Sequence, residues 1–260
     1  MINDEWVRFL AAIRGGHADE VSNILAKQPE LATIRRPGYD DPLTVAAKWN
    51  RVGCLRALLP HFARDPLAAL NAFFGAAEFG SLDCLLALSI KTHSHRRNRE
   101  GSTALMLAAI KGHAECLRAL LPHSDALASD DGGWTSLMMA SFAQHPACVE
   151  ALLPHSDSRA VNAGGESAFS LALGRADSRP ALRLDACIDL LAPFADPSLA
   201  STALARLGAA RMPRFAALRE AEELAVSAGL KPISRTGRAS TRWTRDNTAA
   251  QASRKASLRM

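Results

Sequence analysis

Two strings in this 260-residue chain hold the residue types of a hydrolytic relay: His123-Ser124-Asp125 and His155-Ser156-Asp157. A serine nucleophile needs an imidazole base and a carboxylate that orients that base, all converging in space. Three consecutive residues do not converge in this way, and His61 stands at the same place in an earlier stretch of similar sequence. Both strings are therefore expected to be structural. His113-x-x-Cys116 and His145-x-x-Cys148 each resemble half of a zinc site. The cysteines are expected to face a core while the histidines sit at a turn, which separates the ligands. Asp130-Asp131-Gly132-Gly133 and Ala163-Gly164-Gly165-Glu166 lack the Lys-Ser/Thr that completes a phosphate-binding loop. Turn glycines explain them. No paired carboxylates stand out as an acid and base. The chain is expected to hold no catalytic centre, metal or cofactor.

The cysteines show what the chain is organised for. Cys54, Cys84, Cys116, Cys148 and Cys187 recur at offsets of 30, 32, 32 and 39 residues. They mark a repeat. Residues 103–121 (TALMLAAIKGHAECLRALL) return at 135–153 as TSLMMASFAQHPACVEALL. Weaker copies begin at Asp41, Asn71 and Ser167, and the last carries a seven-residue insertion. Each copy predicts a helical hairpin. A first helix carries a small pair, as in Ala46-Ala47, Ala76-Ala77 and Ala108-Ala109. A turn follows, with Gly80 or Gly112. A second helix has the apolar spacing of Cys116, Leu117, Leu120 and Leu121, which gathers on one face. Pro60, Pro122, Pro154 and Pro193 then end that helix. One hairpin is too small to fold alone, so stacked copies must share a core. Equivalent helices 8–10 Å apart hold their cysteines too far apart for bridges. An odd number of thiols in a chain of this size points to a reducing, intracellular setting, expected to be cytoplasmic.

Composition agrees. Hydrophobic residues make up 48% and charged residues 22%, enough for a core and too ordinary for wholesale disorder. No stretch of apolar residues is long enough to span a membrane. Asp4 and Glu5 replace the basic start of a secretory signal. The net charge of +5 is uneven: residues 231–260 carry eight Lys and Arg against Asp246, leaving the remainder at −2.

The unit Gly101-Ser-Thr103-Ala-Leu105-Met-Leu-Ala108-Ala109-x-x-Gly112-His113-Ala-Glu115-Cys-Leu-x-Ala-Leu120-Leu121 resembles an ankyrin repeat. The family's Thr-Pro-Leu-His start survives in part as Asp41-Pro42-Leu43 and Thr103-Ala104-Leu105, while Thr44, Met106, Met138 and Ser170 replace the histidine. The resemblance implies an all-α ankyrin-repeat solenoid. It places a capping unit at 1–36, five repeats over 37–197 and a helical cap at 198–230, followed by a basic tail at 231–260 read as disordered. In the second full repeat Ala69-Leu70-Asn71 replaces Gly-x-Thr, so its loop finger is expected to be short or absent.

The resemblance also implies a non-catalytic scaffold that binds another protein on a concave face. Position by position, that face would hold Tyr39 and Asp40, Lys48 and Trp49, Glu78 and Phe79, Arg99 and Glu100, Ile110 and Lys111, Trp134, Met139 and Phe142, Glu166 and Arg175. Trp49, Phe79, Ile110 and Phe142 would form an apolar strip along it. These rings either grip a partner or pack against each other. His93, His95, Arg96, Arg97 and Arg99 form a basic loop, either a solvated finger or a site for an acidic partner. The tail, with Trp243, reads as a solubilising terminus, as a contact for an acidic protein, or as the DNA- or RNA-contacting arm of a nucleic-acid-associated adaptor.

Overall fold

A computed structural model of the chain describes residues 2–174, 184–208 and 212–227. Arg175, Gly229 and the basic segment 231–260 lie outside the described residues.

The repeat pattern becomes paired helices. The first pair is α1 (Ile2–Gly15) and α2 (Ala18–Lys27). Then come α3 (Pro42–Lys48) with α4 (Val52–Leu58), and α5 (Pro66–Phe79) with α6 (Leu82–Ala87) and the single turn α7 (Ile90–His93). Two regular pairs follow: α8 (Ala104–Lys111) with α9 (Ala114–Leu120), and α10 (Ser136–Phe142) with α11 (Pro146–Leu152). Next is α12 (Ala168–Gly174) with α13 (Leu184–Leu191). Helices α14 (Pro197–Leu207) and α15 (Pro213–Ser227) close the order.

The first helices stack in an inner row, α1 on α3, α3 on α5, α5 on α8, α8 on α10 and α10 on α12. The second helices form an outer row from α2 to α13. The small pairs make the close stacking possible: Ala46, Ala47, Ala76, Ala77, Ala108 and Ala109 are all fully buried. Outer-helix Leu55, Leu85, Leu117 and Val149 fill the layer between the rows, so one core runs through the stack. Each outer-helix proline sits inside a short 3-10 turn, as in Leu121–His123 and Leu153–His155, where the chain tightens before it leaves.

Inner helices α3, α5, α8, α10 and α12 each start from a polar cap. Asp41, Asp65, Thr103, Thr135 and Ser167 accept from the backbone N–H of Thr44, Ala68, Met106, Met138 and Ser170. In the last three repeats that use threonine or serine, the cap also closes a finger through a bridge: Arg97 with Thr103, Ser129 with Thr135, Val161 with Ser167. The repeat that lacks Gly-x-Thr shows no such bridge among the described residues. Asp65 and Pro66 start the helix early, and an Ala/Leu run carries it through 14 residues against 7 for α3. The finger has become two extra turns of helix.

Two helices, α14 and α15, follow the last of these pairs. Buried Asp189 on α13 accepts from Arg214 N at 3.1 Å and Phe215 N at 2.9 Å, so it caps α15 from another helix. Met212 and Phe215 beside this cap are buried. Asp189→Ala leaves the buried Phe215 N–H and the part-buried Arg214 N–H without this partner and is expected to cost about 1–3 kcal/mol. The loss should appear as faster amide exchange across 213–227 before the rest of the stack opens.

Candidate partner-binding face

Turns between inner and outer helices set where the exposed side chains sit. The residue that precedes each of α4, α6, α9 and α11 donates to the last carbonyls of the inner helix one unit earlier. Arg51 Nε reaches Arg14 O at 2.8 Å, and Ser81 Oγ reaches Lys48 O at 3.1 Å. His113 Nε2 lies 2.9 Å from Glu78 O, and His145 Nε2 lies 3.2 Å from Ile110 O. These carbonyls have no partner within their own helix, so each bond satisfies a helix end and fixes one unit on the next. His17, which precedes α2, meets Glu20 at 3.3 Å.

The candidate chemistry of the sequence is resolved by the same geometry. The His113 and His145 rings face backbone carbonyls, while Cys116 and Cys148 lie in the core, so neither pair shares a ligand site. Asp125 and Asp157 each accept from the backbone N–H two residues on, at 2.9 Å, and shape their loops. All five thiols are buried and unbridged. Burial pushes each above the ordinary 9.0: Cys84 to about 12, with the Asp83 charge adding, and Cys116 to about 11, with Glu115 adding. Cys148 rises to about 11 and Cys187 to about 12. They are poor nucleophiles at neutral pH.

Two expectations follow from this stripe. Cys116→Ser buries an added hydroxyl and should destabilise by roughly 1–3 kcal/mol in urea unfolding. Stability should also fall above about pH 9, because unfolded thiols then ionise while the folded ones stay protonated to about 11–12.

Of the aromatic rings among the described residues, three are well exposed: Tyr39 (62%), Trp49 (54%) and Phe79 (53%). All belong to the first three units. Trp49 caps α3, and Phe79 ends α5, so they occupy the same position in neighbouring repeats, followed by Lys111. Lys48 Nζ stands 5.1 Å from the Phe79 ring centroid and 2.7 Å from Asp40. Lys111 pairs with Glu78 at 3.1 Å. The aromatic pair is thus framed by two cations, each held by a carboxylate. Tyr39 meets buried Trp6 edge-on at 5.4 Å, and the Arg36 guanidinium lies 4.6 Å over that indole. Neither Arg36 nor Asp189 was visible as a site element in the sequence, because their partners come from other units.

The second half of the strip differs. Met139 is 8% exposed and belongs to the core, which removes it from the expected face. Its helix α10 packs between α8 and α12. Trp134 is half-buried and packs edge-on against Phe142 at 5.3 Å. Ile110 and Phe142 are likewise half-buried against the core. Here the expected open strip packs largely on itself. Arg99 is exposed on its finger, and Arg97 Nη1 holds Gly101 O at 2.7 Å and Ser129 O at 2.5 Å, tying one finger to the next. An open cleft of about 380 Å³ lies farther along, lined by Arg159, Ser167, Phe169, Phe194, Asp196 and Leu199. Asp196 caps α14 there, and its bonds to Ser198 and Leu199 hold its carboxyl below the usual range.

The family of ankyrin repeats matches residues 73–163 as three copies. That span covers the pairs in which cap, turn and outer helix recur most regularly. Residues 73–163 are ankyrin repeats. The ankyrin stack is also similar to the crystal structure of an ankyrin repeat domain from Acinetobacter baumannii AYE, with a TM-score of 0.52 and 22% identity. The likeness covers 71% of this chain and 95% of that one, and it concerns the fold alone. No curated protein matches the chain. No described helix of the ankyrin stack is long and apolar enough to cross a membrane.

Proposed function

We propose that this chain is a non-catalytic cytoplasmic scaffold that docks another protein on one flank of its stack. Ankyrin repeats are in general protein–protein interaction modules. The observation that carries the reading is the segregation of exposed rings: Tyr39, Trp49 and Phe79 are open, while the other described aromatics are buried or half-buried. Large rings on a rigid support lose little entropy on binding and are enriched among binding hot spots. Lys48, Lys111 and Arg99 would set register, and Trp134, Ile110 and Phe142 would contribute their remaining exposed edges. Capture of a partner by the intact chain, compared with the Trp49→Ala/Phe79→Ala variant, tests the reading. Equal capture by a folded variant rejects it.

A further inference from the structure

Residues 121–174 hold six carboxylates, Asp125, Asp130, Asp131, Glu150, Asp157 and Glu166, against the single Arg159. Five of them have local duties, Glu166 among them, which accepts from Asn162 Nδ2 at 3.1 Å within its own finger. Asp125 and Asp157 shape loops, Asp130 accepts from Gly132 N and Trp134 N, and Glu150 meets Arg214 at 3.7 Å. Asp131 and Glu166 are exposed at the tips of adjacent fingers. Ala163 N donates to Gly132 O at 3.0 Å, so the two tips form one edge. The half-buried Trp134 ring stands between them in sequence and is braced by Phe142. An aromatic surface rimmed by carboxylates favours a cation, above all a guanidinium that can stack on the ring.

The same chain carries that chemistry. Residues 231–260 hold Arg235, Arg238, Arg242, Arg245, Arg254 and Arg259 with two lysines, against Asp246. The segment follows α15, whose first turn lies beside this acidic part of the stack through the Arg214–Glu150 contact. Thirty residues extend to about 100 Å, more than the roughly 70 Å of a stack of seven units at 8–10 Å spacing. Covalent attachment gives an effective concentration on the order of millimolar, so even a weak contact is populated.

Resting on the reading of this flank as a docking surface, we infer that the Arg-rich segment 231–260 docks in cis on the Asp131, Trp134 and Glu166 edge. The segment then regulates the scaffold: a partner that uses this edge must displace it.

The test uses the full chain with a nitroxide attached through Ser240→Cys. The native thiols are buried and do not compete for the label. At low salt the amide signals of Gly132, Gly133 and Gly165 should lose intensity. They should recover in ~1 M salt, where charges are screened beyond about 3 Å, and in the Asp131→Lys/Glu166→Lys background. Undiminished signals at low salt overturn the inference. So does equal broadening when unlabelled-isotope, nitroxide-bearing chains are mixed with isotope-labelled chains lacking the nitroxide, since a second copy then supplies the segment. Should the double charge reversal disturb the fingers, the salt arm decides alone. Partner capture through Trp49 and Phe79 is read separately, so failure of either reading leaves the other identifiable.

Discussion

Trp49→Ala/Phe79→Ala should weaken partner binding by about 2–4 kcal/mol, roughly 30- to 1000-fold in Kd, while thermal unfolding changes little. The two rings are 54% and 53% exposed, so truncating them opens no cavity in the core. What is lost is apolar area that a partner would cover, together with the Phe79 ring that Lys48 faces at 5.1 Å. Isothermal titration with the captured partner measures the first quantity, and thermal denaturation the second. Trp134→Ala is the useful contrast. Its ring packs on Phe142 and against the core, so it should lower stability by roughly 1–2 kcal/mol, a partial loss of aromatic burial and ring contact. A Trp134→Ala variant as stable as the parent would show that the ring is not part of the packing.

Gly112→Ala is expected to be among the most damaging single-methyl changes in the chain. Gly112 has φ +81°, a left-handed conformation that costs an L-residue about 1–2 kcal/mol. The new Cβ would also stand 2.5 Å from His145 Nδ1, inside contact distance. His145 must then move, and its bond to Ile110 O is worth about 1 kcal/mol. Together these approach about 3 kcal/mol, a fall in Tm of roughly 6–12 °C for a domain of this size. Adding His145→Ala should relieve the clash, so the double variant should be less damaged than the two single losses predict. Strict additivity would mean that the two residues do not meet. Gly80 stands in the same relation to His113, at 2.5 Å, and should behave alike.

Much of this was legible in the residues. The 32-residue recurrence, the alanine pairs and the outer-helix prolines specify stacked helical hairpins, because each pattern repeats and each alone cannot bury its apolar face. The lost finger was equally legible, since replacing Gly-x-Thr with Ala69-Leu70-Asn71 removes the turn glycine and the threonine cap together. The inward cysteine stripe follows from the same periodicity, and the structure buries all five thiols. The exposure of Trp49 and Phe79 also agrees with their positions in the repeat.

By itself, then, the sequence determined the unit, its order and its shared core, because these depend on local period and on the size of side chains. Tertiary structure decided which rings remain open. Trp134 shares its repeat position with exposed Glu166, and Ile110 and Phe142 share theirs with exposed Gly174, yet the approach of neighbouring helices and fingers half-covers all three. Only the stack brings His113 to Glu78 O, His145 to Ile110 O and Asp189 to the first turn of α15. Such contacts join residues 26–35 positions apart. A side chain's exposure or partner is set by the atoms that the next unit delivers, and no local pattern contains that information.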